Sequence, residues 1–161
     1  MAAPDLKPSF VYVTYIVAPA EQVWRALTDG DFTRQYFFGR CMQSDWKVGA
    51  DWALVMEDGR VDCAGKVLEC EPPRWLAISW RVEWLEEFRK LPEAIVSFDI
   101  EPMGAVVRLT VTQLTGPIDE KFLEGGRQGW PMILSGLKSL LETGKPLNIP
   151  TPSGEVPKAK G

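Results

Sequence analysis

The pattern of hydrophobic positions divides the chain into a first strand, two short helices, a long region of strands and a final helix. Residues 10–17, "FVYVTYIV", are dense in β-branched and aromatic residues and predict the first strand. The next segment, "APAEQVWRALTDG", places Pro19 at a first helical position and ends on Gly30, so it predicts a helix. Asp31 is then expected to cap a second short helix that carries several aromatic residues.

From about residue 40 to residue 114 the chain reads as strands separated by turns. Asp58-Gly59 is a typical hairpin signal, and the later segments alternate apolar and polar residues. Such alternation predicts an antiparallel sheet with one apolar face and one face in water. The residues expected on the wet face, where they could form cross-strand ion pairs, are Arg60, Asp62, Arg81 and Glu83. Cys63 and Cys70 are expected to be small core residues.

Residues 129–144, "GWPMILSGLKSLLETG", predict an amphipathic helix that covers the apolar face of this sheet. Pro131 either starts the regular helix or interrupts one that begins near Lys121, and Gly144 supplies the stop. The apolar stripe consists of Trp130, Ile133, Leu134, Leu137, Leu140 and Leu141. The whole order predicts an α+β fold in which a curved antiparallel sheet of about seven strands surrounds a long C-terminal helix.

Composition narrows the classes of partner. The chain has 161 residues, 45% of them hydrophobic and 25% charged, which suits a single globular domain. Its net charge is −4 and no basic stripe stands out, so nucleic acid is not an expected partner. No apolar run approaches the roughly 20 residues that a membrane-spanning helix needs. With no signal-like segment at the start, we expect a cytoplasmic protein with reduced thiols.

The absence of histidine restricts the chemistry most sharply. It excludes Ser-His-Asp and Cys-His activation of a nucleophile and zinc sites built on imidazole. The three cysteines lack the CxxC spacing of a thiolate metal site. We therefore expect neither a metal nor a cofactor, and any catalysis would use carboxylates, Lys, Tyr, Cys or water.

The order of elements and four phrases resemble the START-like (SRPBCC, helix-grip) superfamily, in the branch similar to the activator homologue of heat-shock protein 90 ATPase. The phrases are "APAEQVWRALTD", "VGADW", "GKVLECEPPRWLAISW" and "GWPMILSGLKSLLETG". The resemblance covers about residues 9–145, which we take as one domain with residues 1–8 and 146–161 as flexible termini. It implies the helix-grip fold of birch-pollen-allergen-like proteins, with a cavity between helix and sheet.

That implied cavity raises the question of which side chains line it. An empty void of about 300 Å³ would cost on the order of 7 kcal/mol, so the space must be packed, wet or occupied by a ligand. Trp84 and Trp130 lie near element ends, and each indole N–H needs a partner that a ligand or water could supply. The candidate ligand-binding residues are Tyr12, Thr14, Trp80, Trp84, Phe98, Leu109, Trp130, Ile133, Leu134 and Leu137. The alternative for most of them is simple core packing, and for Tyr12 and Thr14 ordinary hydrogen bonds.

Three functions follow from these observations. The leading one is non-enzymatic binding of a small hydrophobic molecule, lipid-, polyketide- or aromatic-like, in the cavity. The second is a polyketide-cyclase-like enzyme that uses Tyr or a carboxylate for acid–base chemistry, with no catalytic residue assigned. The third, ranked last, is a chaperone-associated domain that stimulates an ATPase, for which a large exposed apolar patch would be the sign. The oligomeric state stays open.

Overall fold

A computed structural model describes residues 6–83, 86–90, 92–116 and 120–147, with only the backbone course described for residues 87–88 and 120–126. The candidate residue Trp84 therefore lies outside the described residues, as do residues 1–5 and 148–161 of the predicted flexible termini.

The order of elements is the one that the sequence predicts, with one further short helix. In chain order the elements are β1 (Lys7–Ile16), α1 (Ala20–Thr28), α2 (Gly30–Tyr36), β2 (Cys41–Ser44), β3 (Asp51–Val55), β4 (Val61–Glu71), β5 (Trp75–Val82), α3 (Glu86–Arg89), β6 (Ala94–Met103), β7 (Val106–Thr115) and α4 (Glu120–Thr143). In the described chain the strands form a seven-stranded sheet in the order β1-β7-β6-β5-β4-β3-β2, with every neighbouring pair antiparallel. The helix-grip α+β fold is thus confirmed, and β1 begins two residues before the predicted start of the domain.

Strand β1 shows how the alternation works. Ile16 is fully buried on the inner face, whereas Val11 on the outer face is 56% exposed. Tyr12 and Thr14 have the same parity as Ile16 and are half-buried. Both polar side chains therefore lie on the inner face, as their positions in the sequence predict.

Helix α4 covers the inner face through its apolar stripe. Leu134 and Leu137 are among the most completely buried side chains. Because the helix starts at Glu120, Pro131 lies within it and does not begin it, which settles the two alternatives left by the sequence. The helix ends before Gly144, whose φ of 84° is the left-handed conformation expected at this position.

Two sets of hydrogen bonds fix the direction of α4 across the sheet. Lys138 Nζ donates to the carbonyl of Tyr15 at 2.6 Å and pairs with Glu142 at the same distance. Farther back along the helix, the indole of Trp130 donates to the side chain of Gln113 near the end of β7. The C-terminal half of α4 therefore lies beside the end of β1, and Trp130 lies over the opposite end of the sheet.

Two local features of the fold differ from what the sequence predicts. The capping residue of α2 is Asp29, whose carboxylate accepts the backbone N–H of Asp31 at 2.9 Å. The expectation that Asp31 caps this helix is wrong, because α2 begins at Gly30 directly after α1. The second feature was not predicted: β4 and β5 cross so closely that a Cβ on Gly65 would lie 2.0 Å from the carbonyl oxygen of Ser79.

Candidate functional site

The inner face of the sheet has two chemically different ends. Across one end, Gln113 on β7 lies opposite Phe10 on β1 and Val96 on β6. Across the other end the neighbours are aliphatic and buried. We call that region the aliphatic end; it comprises Ile16, Ile100, Val107, Leu109, Leu134 and Leu137.

At the first end, aromatic rings from four elements and one connecting loop meet. We call this cluster the aromatic end; it comprises Phe37, Trp52, Trp80, Phe98 and Trp130. The ring centroid of Trp80 lies 4.8 Å from that of Trp52 and 5.6 Å from that of Trp130. Phe37 and Phe98 meet Trp130 at 5.8 and 6.1 Å. Trp130 is 5% exposed, whereas Trp80 is only half-buried.

The hydrogen bond between Trp130 and Gln113 corrects one expectation. Trp130 Nε1 donates to Gln113 Oε1 at 3.1 Å, so the indole finds its partner inside the protein and does not depend on a ligand or water. Gln113 is itself 7% exposed. The indole of Trp52 is also satisfied internally, by the carbonyl of Ser79 at 2.8 Å.

A stacked pair on β1 extends the aromatic surface toward the edge of the sheet. The rings of Phe10 and Tyr12 have centroids 6.2 Å apart and planes within 4° of each other. Both face inward and both are half-buried. They add to the aromatic end a surface that the described core covers only in part.

A buried ion pair lies close to the aromatic end and corrects another prediction. Asp62 was expected on the wet face, but it is 2% exposed and accepts a hydrogen bond from Arg40 Nε. The reason is a register shift opposite it, between Leu54 and Val55, which turns both Asp62 and Cys63 into the interior. Burial raises the pKa of the Asp62 carboxyl, and the charge of Arg40 offsets only part of this shift.

The thiol of Cys63 connects this ion pair to the rings. Cys63 Sγ lies 3.6 Å from Asp62 Oδ1, and Cys63 belongs to the same core cluster as Trp80. Burial, followed by the neighbouring carboxylate, raises the pKa of the Cys63 thiol well above its usual range. Cys63 is therefore a protonated core residue, as predicted, and is not an activated nucleophile.

The remaining charged residues of the predicted wet face do lie outside. Arg81 pairs with Glu83 and, at 2.7 Å, with Glu93, while Arg60 pairs with Asp58 at 2.7 Å. Arg81 is thus no inward anchor for a carboxylate, in agreement with the alternation of β5. Within the described residues no group of three or more potential ligands could hold a metal ion.

The structure brings together only part of the predicted lining set. Trp80, Phe98 and Trp130 meet at the aromatic end, with Ile133 one helical turn beyond Trp130. Thr14 lies opposite Leu109 on the aliphatic side, where Leu134 and Leu137 are packed as core residues. Whether any of these residues contacts a ligand stays a prediction.

Sequence reasoning missed five residues of this region: Phe37, Arg40, Trp52, Asp62 and Gln113. Of these, Gln113 had a signal, because the alternation of Val107, Leu109 and Val111 places the next alternate residue on the same inner face. An open depression of about 560 Å³ at the β2–β3 turn is lined by residues 43–45 and 49–53, of which Trp52 also belongs to the aromatic end.

Comparison with known proteins agrees with this architecture. The family model described as "Activator of Hsp90 ATPase homolog 1-like protein" matches residues 17–142. The chain belongs to this family. Membership confirms the START-like, helix-grip resemblance and the branch to which the four sequence phrases pointed. No curated relative matches the chain.

The solved structures that are similar to this chain have different descriptions. CalU16 from Micromonospora echinospora has 28% identity and a TM-score of 0.62, covering 77% of this chain and 69% of its own. DynU16, described as a protein in the dynemicin biosynthetic locus, has 24% identity and a TM-score of 0.70, covering 84% of this chain and 48% of its own. PFC0360w, described as an HSP90 activator from Plasmodium falciparum, has 21% identity and a TM-score of 0.67, covering 82% and 94%. In the described part of this chain, none of the helices has the length and apolar character of a membrane span.

Proposed function

We propose that the chain binds a small hydrophobic molecule at the aromatic end. The observation that carries this proposal is that three inward-facing aromatic side chains at or beside that end, Phe10, Tyr12 and Trp80, are left half-buried. Trp80 contacts three other rings of the cluster but keeps part of its surface uncovered, and the same holds for the Phe10–Tyr12 pair. Apolar surface left uncovered inside a fold is stabilised by a guest at roughly 25 cal/mol per Å² covered.

The geometry of the rings favours a flat guest. Trp80 meets Trp130 at an interplanar angle of 61° and Trp52 at 47°, so the cluster presents both ring faces and ring edges. Offset stacking and edge-to-face contacts are the arrangements that aromatic pairs prefer. An aromatic or polyketide-like molecule therefore fits this surface better than a flexible acyl chain. The occurrence of the similar DynU16 in a biosynthetic locus supports a small-molecule role.

The test is a ligand panel of fused-ring aromatics and fatty acids, read by the shift in melting temperature and by quenching of tryptophan fluorescence. We expect aromatic compounds to raise the melting temperature of the wild type and to bind more weakly to Trp80→Ala. The matched control is Trp75→Ala, because the indole of Trp75 lies on the outer face and donates to Glu69 at 2.7 Å. If no compound shifts the wild type, or if both variants lose the same affinity, the proposal fails.

A second candidate, interaction with a chaperone ATPase, is favoured by the outer face of β1. Four apolar side chains project there into solvent: Val11 is 56% exposed, Val13 47%, Tyr15 48%, and Val17 just beyond the strand 59%. A continuous apolar stripe on a surface strand is typical of a contact surface. The family description and the similarity to PFC0360w support the same candidate.

This candidate is tested by the ATPase rate of Hsp90 with and without the chain. We expect the double variant Val13→Ser/Tyr15→Ser to lose any stimulation that the wild type gives. Val48→Ser is the control, since Val48 is 67% exposed but lies in the β2–β3 turn. An unchanged ATPase rate with the wild-type chain would rule this function out and would leave ligand binding unaffected.

A further inference from the structure

Residues 37–40, which connect α2 to β2, have an unusual backbone conformation. Phe38 has a φ of 53° and Gly39 a φ of 78°, so two consecutive residues are left-handed and one of them carries a bulky side chain. A bulky residue in this region is strained, and it keeps its conformation only where its surroundings enforce it. Such strain tends to cluster near ligand sites, and this turn delivers Phe37 to the aromatic end.

Arg40 enforces the turn through three hydrogen bonds. Its backbone N–H donates to the carbonyl of Phe37 at 3.0 Å, and its Nη1 donates to the carbonyl of Phe38 at 2.8 Å. Its Nε donates to the carboxylate of Asp62 on β4. Because the guanidinium is planar and presents its donors as a rigid fork, this one side chain ties the turn to β4.

Net stability does not explain why this ion pair is buried. Arg40 is 4% exposed and Asp62 is 2% exposed, so both charges have lost their hydration. A buried ion pair often contributes no more to stability than apolar side chains of similar volume. Burial raises the pKa of the Asp62 carboxyl in spite of the neighbouring Arg40 charge, which reflects this loss of hydration. A role in holding the turn accounts for the pair without any gain in stability.

The ring of Phe37 connects the turn to the aromatic end. Its centroid lies 5.8 Å from that of Trp130 in an edge-to-face contact. It also lies 6.5 Å from that of Trp80, with the two planes 20° apart. Trp80 is one of the half-buried rings on which the proposed binding depends. A change in the turn that moved Phe37 would therefore alter the surface that is offered to a guest.

We propose that Arg40 and Asp62 are positioning residues for binding at the aromatic end. The pair holds the left-handed turn, the turn holds the ring of Phe37, and that ring shapes the surface that receives an aromatic guest. This inference rests on the proposed function and adds two residues that set the affinity from outside the cluster of rings. The two charged side chains act on the guest only through Phe37.

The experiment measures the affinity for 2-naphthol by titration of tryptophan fluorescence, in a double-mutant cycle with Phe37→Ala. The pair is replaced as a unit by Arg40→Met/Asp62→Leu, which leaves no unpaired buried charge, so we expect the fold to persist. An aromatic contact corresponds to about two- to tenfold in affinity, so this variant and Phe37→Ala should each bind more weakly by that factor. In the Phe37→Ala background the replacement should have no further effect, because its route to the guest has been removed.

Two further variants complete the design. Arg108→Met removes an ion pair with Glu101 on the outer face of the sheet and should leave the affinity unchanged. Arg40→Lys keeps a positive charge beside Asp62 but lacks the fork, so it tests the inference even if the apolar replacement misfolds. It should lose as much affinity as the apolar replacement, and again none in the Phe37→Ala background.

The outcomes separate this inference from the proposed function. Wild-type affinity in Arg40→Lys, or an equal loss in Arg108→Met, would overturn the inference alone. The same conclusion would follow if the loss caused by replacing the pair persisted in full in the Phe37→Ala background. Failure of the wild type to bind 2-naphthol or any compound of the ligand panel would overturn the proposed function together with it.

Discussion

Replacement of Gly65 by alanine tests the close approach of β4 and β5 at this glycine. The new Cβ would lie 2.0 Å from the carbonyl oxygen of Ser79 and 2.7 Å from its carbonyl carbon, whereas an ordinary contact starts at 3.4 Å. The two atoms nearest to the new Cβ belong to the backbone of Ser79, so the clash cannot be relieved by rotation of a side chain. Strands β4 and β5 must separate by roughly 1.4 Å to restore contact distance.

Such a separation disrupts two hydrogen bonds that converge on Ser79. Trp52 Nε1 donates to its carbonyl at 2.8 Å, and the backbone N–H of Lys66 donates to its hydroxyl at 2.9 Å. Each bond contributes about 1 kcal/mol, and overpacking in a core costs about 1–3 kcal/mol. We therefore expect Gly65→Ala to lower the free energy of unfolding by roughly 3–5 kcal/mol, against a total of roughly 5–15 kcal/mol for a domain.

The assay is urea unfolding followed by circular dichroism, with two other glycines of the same chain as controls. A Cβ on Gly129 meets nothing within 4 Å inside α4, so Gly129→Ala should stabilise the protein by about 1 kcal/mol through helix propensity. Gly136 is intermediate, since its Cβ would lie 3.2 Å from the Cβ of Tyr36. If Gly65→Ala were as stable as the wild type, the close crossing of β4 and β5 would be refuted.

Three further predictions concern titratable groups. Asp62→Ala leaves the buried charge of Arg40 unpaired and should lower the free energy of unfolding by about 3–5 kcal/mol in urea titration; a near-neutral effect would contradict the buried ion pair. Lys138 lowers the pKa of Glu142, so the stability that the wild type has over Glu142→Gln should be present at neutral pH and disappear as acid passes that lowered pKa. A difference in stability between the wild type and Glu142→Gln that does not change with pH would argue against the contact between Lys138 and Glu142. Burial raises the pKa of Tyr36, so wild-type stability should fall as pH rises above the ordinary tyrosine value, where only the unfolded chain ionises; Tyr36→Phe should fall less steeply in alkaline melting curves, and equal slopes would refute the assignment.

The parts of the fold that sequence predicts best are the long, regular strands. On β6 the apolar positions Ala94, Val96, Phe98 and Ile100 are all buried, because the alternation that runs from Ala94 to Glu101 allows only one orientation of the strand. The same argument places Tyr12 on the inner face of β1. Regular alternation is a reliable guide wherever the strand has no irregularity.

The candidate site departs from prediction where the backbone is irregular. Strict alternation puts Asp62 and Cys63 on opposite faces, but the register shift opposite them on β3 brings both side chains inside. Phe37 joins the aromatic end from the residue after α2, followed by Phe38 at a φ of 53°, and no periodic signal predicts such a turn. The ion pair between Asp62 and Arg40 joins residues 22 positions apart, so local sequence patterns do not predict it either.

The Lys138–Glu142 pair also protects the protein against aggregation through the edge of its sheet. β1 is a border strand of the sheet, and outward-pointing amides and carbonyls on such strands recruit foreign strands into fibrils. Here the Lys138 ammonium donates a hydrogen bond to the carbonyl of Tyr15, and the Glu142 carboxylate accepts one from the backbone N–H of Val17. These backbone groups are therefore not available to pair with a strand of another molecule. Acidification that neutralises Glu142 removes the second of these two contacts, next to the exposed apolar side chains Val11, Val13 and Tyr15 of β1. Storage in acid is therefore the condition under which this protein should begin to polymerise from that border.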